Sequence, residues 1–445
     1  MAPAGLSVIV IGGGAAGFFG AIAAAEASPQ ASITLLEGGR DSLTKVRLSG
    51  GGRCNVTHSC FDPALLAQQY PRGGRALRGA FSRFQPQDTV AWFQRRGVRL
   101  KTEADGRMFP TTDDSATIVN CLQAEARRVG IQVRTRAAVT NISQTVRQSD
   151  PPFRVELKSG EVLWGDRILM ATGSSPIGYR LAAGLGHRIV PPVPSLFTFT
   201  VRDTHLQALA GVSAAPVTVS LRLPESKPLS QTGPLLITHW GFSGPAVLKL
   251  SAWGARSLHQ HRYRAILTVN WLPDRHFDAL RTTLLDTKAT WAKRQLTTQS
   301  PFPLTKRLWQ YLLQHRAQLS PDLTWANLSK KQLNTLINSL LQDDYTVSGK
   351  GQFKDEFVTC GGIPLPEVNF KTLESRRCPG LFFAGEILDV DGITGGFNFQ
   401  NAWTTGWIAG QSMARSAEIS KSPSVADKTS ESGQTLDPAR NRQNG

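Results

Sequence analysis

A glycine-spaced turn, Gly12-x-Gly14-x-x-Gly17, follows directly on the apolar run 6–11 and opens an alanine-rich stretch that reaches about residue 27. Each glycine has a separate physical task. The first permits the tight turn, the second lets backbone approach a pyrophosphate, and the third lets the helix pack on the strand. The continuous apolar run before the turn is the pattern of a strand buried on both faces. Ser28-Pro29 stops the helix, and residues 32–37 (SITLLE) give a second buried strand. The chain therefore begins with a βαβ unit of about 30 residues. At the helix start, around Ala15 and Ala16, free N–H groups and the helix dipole suit a phosphate. Glu37 stands twenty residues after Gly17, at the end of the second strand, where a carboxylate binds the ribose hydroxyls of an adenosine. Together these features predict a dinucleotide site.

The motif alone does not separate FAD from NAD. Three further features favour FAD. A meander of short strands at 131–135, 153–157 and 162–164 leads into Ala171-Thr172-Gly173. A second Gly-rich segment, 391–396 (DGITGG), opens a helix at Phe397. No second GxGxxG occurs, so no dedicated nicotinamide-binding Rossmann domain is visible. Gly395-Gly396 before a helix would aim N–H groups at the flavin edge that becomes negative on reduction; the alternative is an ordinary loop before a helix.

Between these segments the texture changes. The chain of 445 residues has room for about three domains. Residues 1–191 read as the first part of the nucleotide-binding domain. Alternating strand-like runs make 192–274 a β-rich insert. Amphipathic spacing, as in Leu333, Leu336, Ile337 and Leu340, makes 275–350 a helical insert. Residues 351–413 return to the first domain, and the polar stretch 414–445 reads as a disordered tail.

Charge narrows the partners. Fifty Lys and Arg face 33 Asp and Glu, a formal net charge of +17, which favours a phosphate, a carboxylate or a nucleic acid. Residues 72–107 hold nine basic residues against Asp88, Glu103 and Asp105. That segment is either a solvated surface or a site for an anionic partner such as RNA, with Tyr70, Phe81, Phe84, Trp92 and Phe93 either stacking on bases or buried as core. The five cysteines form no CxxC pair and no metal-ligand spacing, so no metal site is expected and the pattern fits a reducing cytosol. No apolar run approaches a membrane span and no signal peptide is seen, so a cytoplasmic protein is expected.

Four segments carry a family resemblance: 45–58 (KVRLSGGGRCNVTH), 238–248 (THWGFSGPAVL), 358–363 (VTCGGI) and 380–406 (GLFFAGEILDVDGITGGFNFQNAWTTG). In this order the chain, over 6–413, resembles the bacterial BaiN-type, aminoacetone-oxidase-like FAD flavoproteins. The resemblance implies an α/β fold, a glutathione-reductase-type FAD-binding Rossmann domain interrupted by an insert with a β-barrel-like part and a helical part. It also implies non-covalent FAD. Gly12, Gly14, Gly17 and Glu37 would take their usual FAD roles. Ser49, Gly50, Gly51, Gly52, Arg53, Cys54 and Asn55 would run along the cofactor. Ala171, Thr172 and Gly173 would join them. Gly385, Glu386 and Asp391 would reach the pyrophosphate and ribitol, and Gly395, Gly396, Phe397 and Asn398 the flavin ring. The chain departs from the pattern after Gly173, where Ser174-Ser175-Pro176-Ile177 leads at once to Gly178-Tyr179 in place of a longer Gly/Ser-rich loop. His58 stands where that family often has Asn.

Candidate reacting groups keep two readings each. His239, in the turn 238–244, is a proton donor or acceptor near the flavin, or a structural histidine at a domain joint. Asn398 hydrogen-bonds the flavin or caps a helix. Arg53 pairs with a phosphate or substrate carboxylate, or bridges loops. Cys54 reads as a small buried residue beside the cofactor more readily than as a reactive thiolate. The expected function is an FAD-dependent oxidoreductase that transfers a hydride between a small organic substrate and flavin, with NAD(P)H as a transient donor or oxygen as acceptor. The alternatives are a flavoprotein that binds or modifies nucleic acid and a non-catalytic FAD-bound interaction protein.

Overall fold

The computed structural model describes residues 5–145, 152–223, 228–351 and 358–419. The first apolar run becomes the strand Ser7–Ile11, the middle one of the five parallel strands in a seven-stranded sheet. On one side it pairs in parallel with Ser32–Leu36, which pairs with Gln132–Arg134. On the other it pairs in parallel with Arg167–Met170, which pairs with Leu381–Phe383. Short antiparallel strands Glu374–Ser375 and Val368–Asn369 close that edge. The chain thus leaves the central strand to one side and returns on the other, and the carboxyl ends of Ser7–Ile11 and Arg167–Met170 form the crevice where open α/β sheets bind ligands.

The helix Ala15–Ala27 is buried along Ala16–Ala25. It has no polar face because sheet covers one side and the C-terminal helix, Phe397–Ile419, covers the other. Backbone meets backbone there. A Cβ on Gly410 would lie 2.4 Å from the Gly20 carbonyl oxygen, and one on Gly406 would lie 2.7 Å from that of Ala16. The C-terminal helix runs through residue 419, beyond the point where the sequence reading begins a disordered tail; residues 420–445 lie outside the described residues.

Two antiparallel crossover strands, Val190–Ser195 and Val358–Gly362, connect this body to the insert. Six strands of the insert close into a barrel: Phe199–Val201, Gly241–Ser243, Leu229–Thr238, Ser213–Arg222, Ala265–Asn270 and Asp343–Lys350. Alternation sends Val217, Val219 and Leu221 inward, where they meet Leu267 and Val269 in register. A helix, Pro245–Gln260, interrupts what the sequence reads as a wholly β segment. The helical part packs Phe277–Thr290 against Lys330–Leu341, with Lys306–Tyr311 beside them. The apolar core accordingly forms two large clusters, one in the sheet body and one in the insert. No helix among the described residues is long and apolar enough to cross a membrane.

The edge of the sheet is pinned by a buried polar cluster. His187 Nδ1 lies 2.9 Å from Glu367 Oε2, and His187 Nε2 lies 2.8 Å from Ser375 Oγ. Arg188 Nε donates to Glu367 Oε1 at 2.9 Å, and Arg377 adds an ion pair at 3.0 Å. Burial pushes the Glu367 carboxyl up, but Arg188, His187 and Arg377 outweigh it and hold it at about 2. A carboxylate depressed by folding contributes stability that is present above its unfolded value and lost as pH falls through the folded one. Glu367→Gln is expected to cost about 2 kcal/mol in chemical denaturation at neutral pH, because its cationic partners lose the negative charge and one of the two acceptor oxygens. The difference from the unaltered chain should shrink between about pH 4.3 and pH 2. A penalty independent of pH would contradict the assignment.

Candidate functional site

The glycine turn occupies the carboxyl end of the central strand, and its geometry explains the residue choice. Gly12 has φ +110°, and a Cβ there would lie 2.4 Å from the Ala171 carbonyl oxygen. A Cβ on Gly17 would lie 1.9 Å from the Gly12 oxygen. Both glycines are required by the fold itself. Gly14 differs: a Cβ there meets nothing within 4 Å. No side chain caps the helix Ala15–Ala27, and no acid stands in its first turn. Its positive end is left for a group from outside the chain. Glu37 lies where the spacing puts it. Its carboxylate accepts from Gly13 N at 2.8 Å and Gly39 N at 2.7 Å, which orients it at the mouth of the turn.

The second wall is the segment 45–58. Ser49 Oγ donates to the Val46 carbonyl at 2.9 Å and the Cys54 N–H to the Ser49 carbonyl at 3.0 Å, closing a tight loop around Gly50, Gly51 and Gly52. A Cβ on Gly51 or Gly52 also meets nothing within 4 Å. Cys54 is fully buried, and burial pushes its thiol up to about 12, so it is not a ready thiolate. Arg53 pairs with Glu103 at 2.7 Å and Asp113 at 3.5 Å and lies 4.0 Å from the Phe109 ring centroid, which is the loop-bridging arrangement.

The third wall comes from the far end of the sequence. Gly385 packs on Ala16, and its N–H donates to Thr405 Oγ1 at 2.9 Å. Glu386 accepts from Lys45 Nζ at 2.8 Å and Thr359 N at 2.9 Å, and its carboxylate lies close beside Gly173. With its amide oriented to satisfy both neighbours, Asn55 accepts from Gly396 N at 2.9 Å and donates to the Thr57 carbonyl at 3.1 Å. His58 stacks on Phe397 with ring centroids 4.8 Å apart, and Tyr70 OH donates to the Phe397 carbonyl at 2.6 Å. Beneath them Gln400 Oε1 accepts from Thr57 and Thr89, and Trp403 Nε1 donates to the Val56 carbonyl. The hydroxyls of Thr172 and Tyr179 are buried without a partner. Tyr179 sits on the helix Pro176–Gly184, which starts at once after the shortened loop.

Three sequence candidates sit differently from expectation. Asp391 does not face the crevice. It is fully buried and ion-paired with Arg72, and it also accepts from Ser195 Oγ at 2.6 Å. A carboxylate sealed from water requires a cation, and Arg72 supplies it while also donating to the Ala252 carbonyl at 2.8 Å. Removing Arg72 alone would leave a buried charge, at a cost of about 3–5 kcal/mol. Asn398 spends both ends of its amide on Gly392, accepting from its N at 2.8 Å and donating to its O at 2.9 Å. It locks the loop before the helix. His239 is exposed in the turn between the strands Leu229–Thr238 and Gly241–Ser243, beside Trp240. Among the described residues it has no hydrogen bond or ion pair to the sheet body. The insert instead meets the body through the helix Pro245–Gln260, whose Ala252 carbonyl accepts from Arg72 and whose Arg256 pairs with Asp389. The aromatic residues of the basic segment, Tyr70, Phe81, Phe84, Trp92 and Phe93, are core. Lys45, Arg72, Gln400 and Tyr179 carry the site's geometry without a local sequence signal.

Comparison with known proteins matches residues 6–412 to the family model described as HI0933-like protein Rossmann domain. The chain is 30% identical to the ribosomal RNA dihydrouridine synthase of Escherichia coli (strain K12), over 91% of this chain and 97% of that protein. It is 31% identical to the 3-dehydro-bile acid delta(4,6)-reductase of Clostridium scindens, over 91% and 98%. Among solved structures, the 3-ketosteroid-delta4-(5alpha)-dehydrogenase of Rhodococcus jostii RHA1 aligns with 93% of this chain and 98% of its own, at 15% identity and a TM-score of 0.48.

The open space at Gly14 yields a clean test. Gly14→Val has room within the protein and a φ of −91°, which any residue adopts. The variant should keep its circular dichroism and lose at least about tenfold in FAD content, because the isopropyl group takes the place of the pyrophosphate. Full FAD occupancy would refute the phosphate-binding turn.

Proposed function

This chain belongs to the HI0933-like Rossmann family of FAD-dependent oxidoreductases, and we propose that it reduces a carbon–carbon double bond conjugated to a carbonyl. One structural observation carries the redox part. The uncapped first helix and the open positions Gly14, Gly51 and Gly52 leave a backbone-lined cradle that no side chain among the described residues fills. Residues Gly12–Gly17 would hold the pyrophosphate, Glu37 the adenosine ribose, and Ser49–Asn55 with Ala171–Gly173 and Gly385-Glu386 the middle of the cofactor. The Gly395–Phe397 turn would face the flavin. When bound, FAD supplies reversible two-electron chemistry. The chain's own residues provide the setting. His58 and Phe397 form a stacked wall, the Gln400 network fixes that wall to the C-terminal helix, and the insert helix Pro245–Gln260 is tied to the neighbouring loop through Arg72 and Asp389. A substrate between the sheet body and this helix would be oriented and shielded from water.

The relatives' names narrow the substrate class. Dihydrouridine is uridine saturated at a ring double bond next to a carbonyl, and a 3-dehydro bile acid with double bonds at 4 and 6 is a conjugated ketone. Each such reduction adds a hydride at an electrophilic carbon conjugated to the carbonyl and a proton at the other carbon of the double bond. We take a small conjugated ketone or a related acceptor as substrate and a reduced nicotinamide as donor. A second reading keeps the chemistry and places the double bond in a uracil ring of RNA; the net charge of +17 favours it.

The test is anaerobic turnover of FAD-loaded protein with NADH and with NADPH, in the presence of a cyclic enone or its saturated ketone. Nicotinamide consumption should require the enone, and the product should gain two mass units. Flavin bleached by primary amines without nicotinamide, with no turnover on enones, would replace this reading with an oxidase.

A further inference from the structure

We propose that the helical insert carries a docking surface for single-stranded RNA, formed where the end of the helix Phe277–Thr290 meets the start of the helix Lys330–Leu341. The inference rests on the second reading above and names the surface through which an RNA substrate is held. Across 275–341 ten Lys and Arg face three Asp. The backbone gathers half of those cations at one end. The Trp325 N–H donates to the Arg294 carbonyl at 3.0 Å and the Ala326 N–H to the Ala292 carbonyl at 2.9 Å. Gln295 bridges Thr324, and Lys288 Nζ donates to the Leu328 carbonyl at 2.6 Å. These contacts bring Lys288, Lys293 and Arg294 beside Lys330 and Lys331.

Lys288 ties the two segments together, but the other four cations, Lys293, Arg294, Lys330 and Lys331, are exposed and make no ion pair among the described residues. Lys330 and Lys331 are the first two residues of their helix, already capped by Ser329 and Gln332, and cations at a helix start oppose its dipole. Stability alone would place acids there. A polyanion reverses the sign, because each phosphate neutralised releases a counterion. RNA is favoured over other anions by the adjoining ring. Trp291 is half-buried at this end with the Arg294 guanidinium 5.6 Å from its centroid, a cation-and-aromatic pair of the kind that stacks on unpaired bases. In the basic segment 72–107 the Arg96 guanidinium lies 3.7 Å from the Trp92 centroid, but that ring and the other aromatic residues of the segment are core and offer no face to a base.

The test titrates a fluorescein-labelled oligouridylate of about 20 nucleotides with FAD-loaded, full-length protein across a salt series. The variant K293E/R294E/K330E/K331E should lose at least about tenfold in affinity, and its log–log salt slope should fall by about 3, near 0.7 per contact on a single strand. A K293Q/R294Q/K330Q/K331Q variant should fall between. R75E/R78E, on the other basic face, should bind like the unaltered protein, and enone reduction should be unchanged in all three. Absence of RNA binding by the unaltered protein overturns the proposal. So does loss confined to R75E/R78E, or binding to phosphatidylserine vesicles in preference to RNA. The uracil reading fails separately: RNA held through this end with its uridines unreduced leaves the surface standing. Uridine reduced at full rate by the glutamate variant refutes the surface alone.

Discussion

The contact on which the site depends is the backbone-to-backbone packing of the first helix and the last. Gly20, Gly406 and Gly410 let Ala15–Ala27 and Phe397–Ile419 approach until carbonyl oxygens occupy the space of side chains. This packing works with the sheet, in which Ser7–Ile11 and Leu381–Phe383 both flank Arg167–Met170, to bring residues 12–17 and 385–397 into one crevice although nearly the whole sequence lies between them. A methyl group on Gly410 would push the last helix away from the first. The turn at Gly395-Gly396 would then lose its relation to the glycine turn at Gly12–Gly17. The insert can hang between residues 190 and 362 because its two crossover strands leave and re-enter the body side by side.

Around that frame, the buried carboxylates and the Gln400 amide are matched by partners within the chain. Asp391 is sealed with Arg72, and Asp389 with Arg256 and the Gly361 N–H. Glu367 takes His187, Arg188 and Arg377. Gln400 serves Thr57, Thr89 and Thr404 in one network. The first two ties fix the joint between body and insert and the others hold the body itself together, since low dielectric makes every broken partner costly. Two kinds of polar group stand outside this pattern. The Thr172 and Tyr179 hydroxyls are buried without partners near the crevice, and the lysines of the insert are exposed without acids. Unsatisfied donors in a crevice suit a bound organic group, and surplus cations on a surface suit a polyanion.

Local signals in the sequence were enough for the strand–turn–helix start, the acidic residue at Glu37 and the order of body, β-rich part and helical part. Each rests on a short-range rule, either periodicity or a glycine at a fixed offset, while the barrel came only from the family resemblance. The helix Pro245–Gln260 also had a local signal, Pro245 after Gly244 with apolar residues at 246, 247 and 250, but the strand-like runs on both sides masked it. What the sequence could not display is pairing across distance. Arg72 reads as one more cation in a basic segment, and its partner Asp391 stands 319 residues away. Asp391 and Asn398 sit in the right loop, yet their side chains turn inward, because a buried carboxylate and a loop amide find partners within the chain before any ligand is bound. His239 sits in a matching turn, but register on the barrel decides which way the turn faces.

The central claim is that this fold delivers reducing equivalents to a conjugated double bond. The most direct measurement uses FAD-loaded protein photoreduced anaerobically, then mixed with a cyclic enone without nicotinamide or oxygen. The flavin band near ~450 nm should return in one turnover as the cofactor yields its electrons, with one saturated product formed per flavin. A band that stays bleached with enones and with uridine-containing RNA, and returns only on admitting oxygen, would contradict the account.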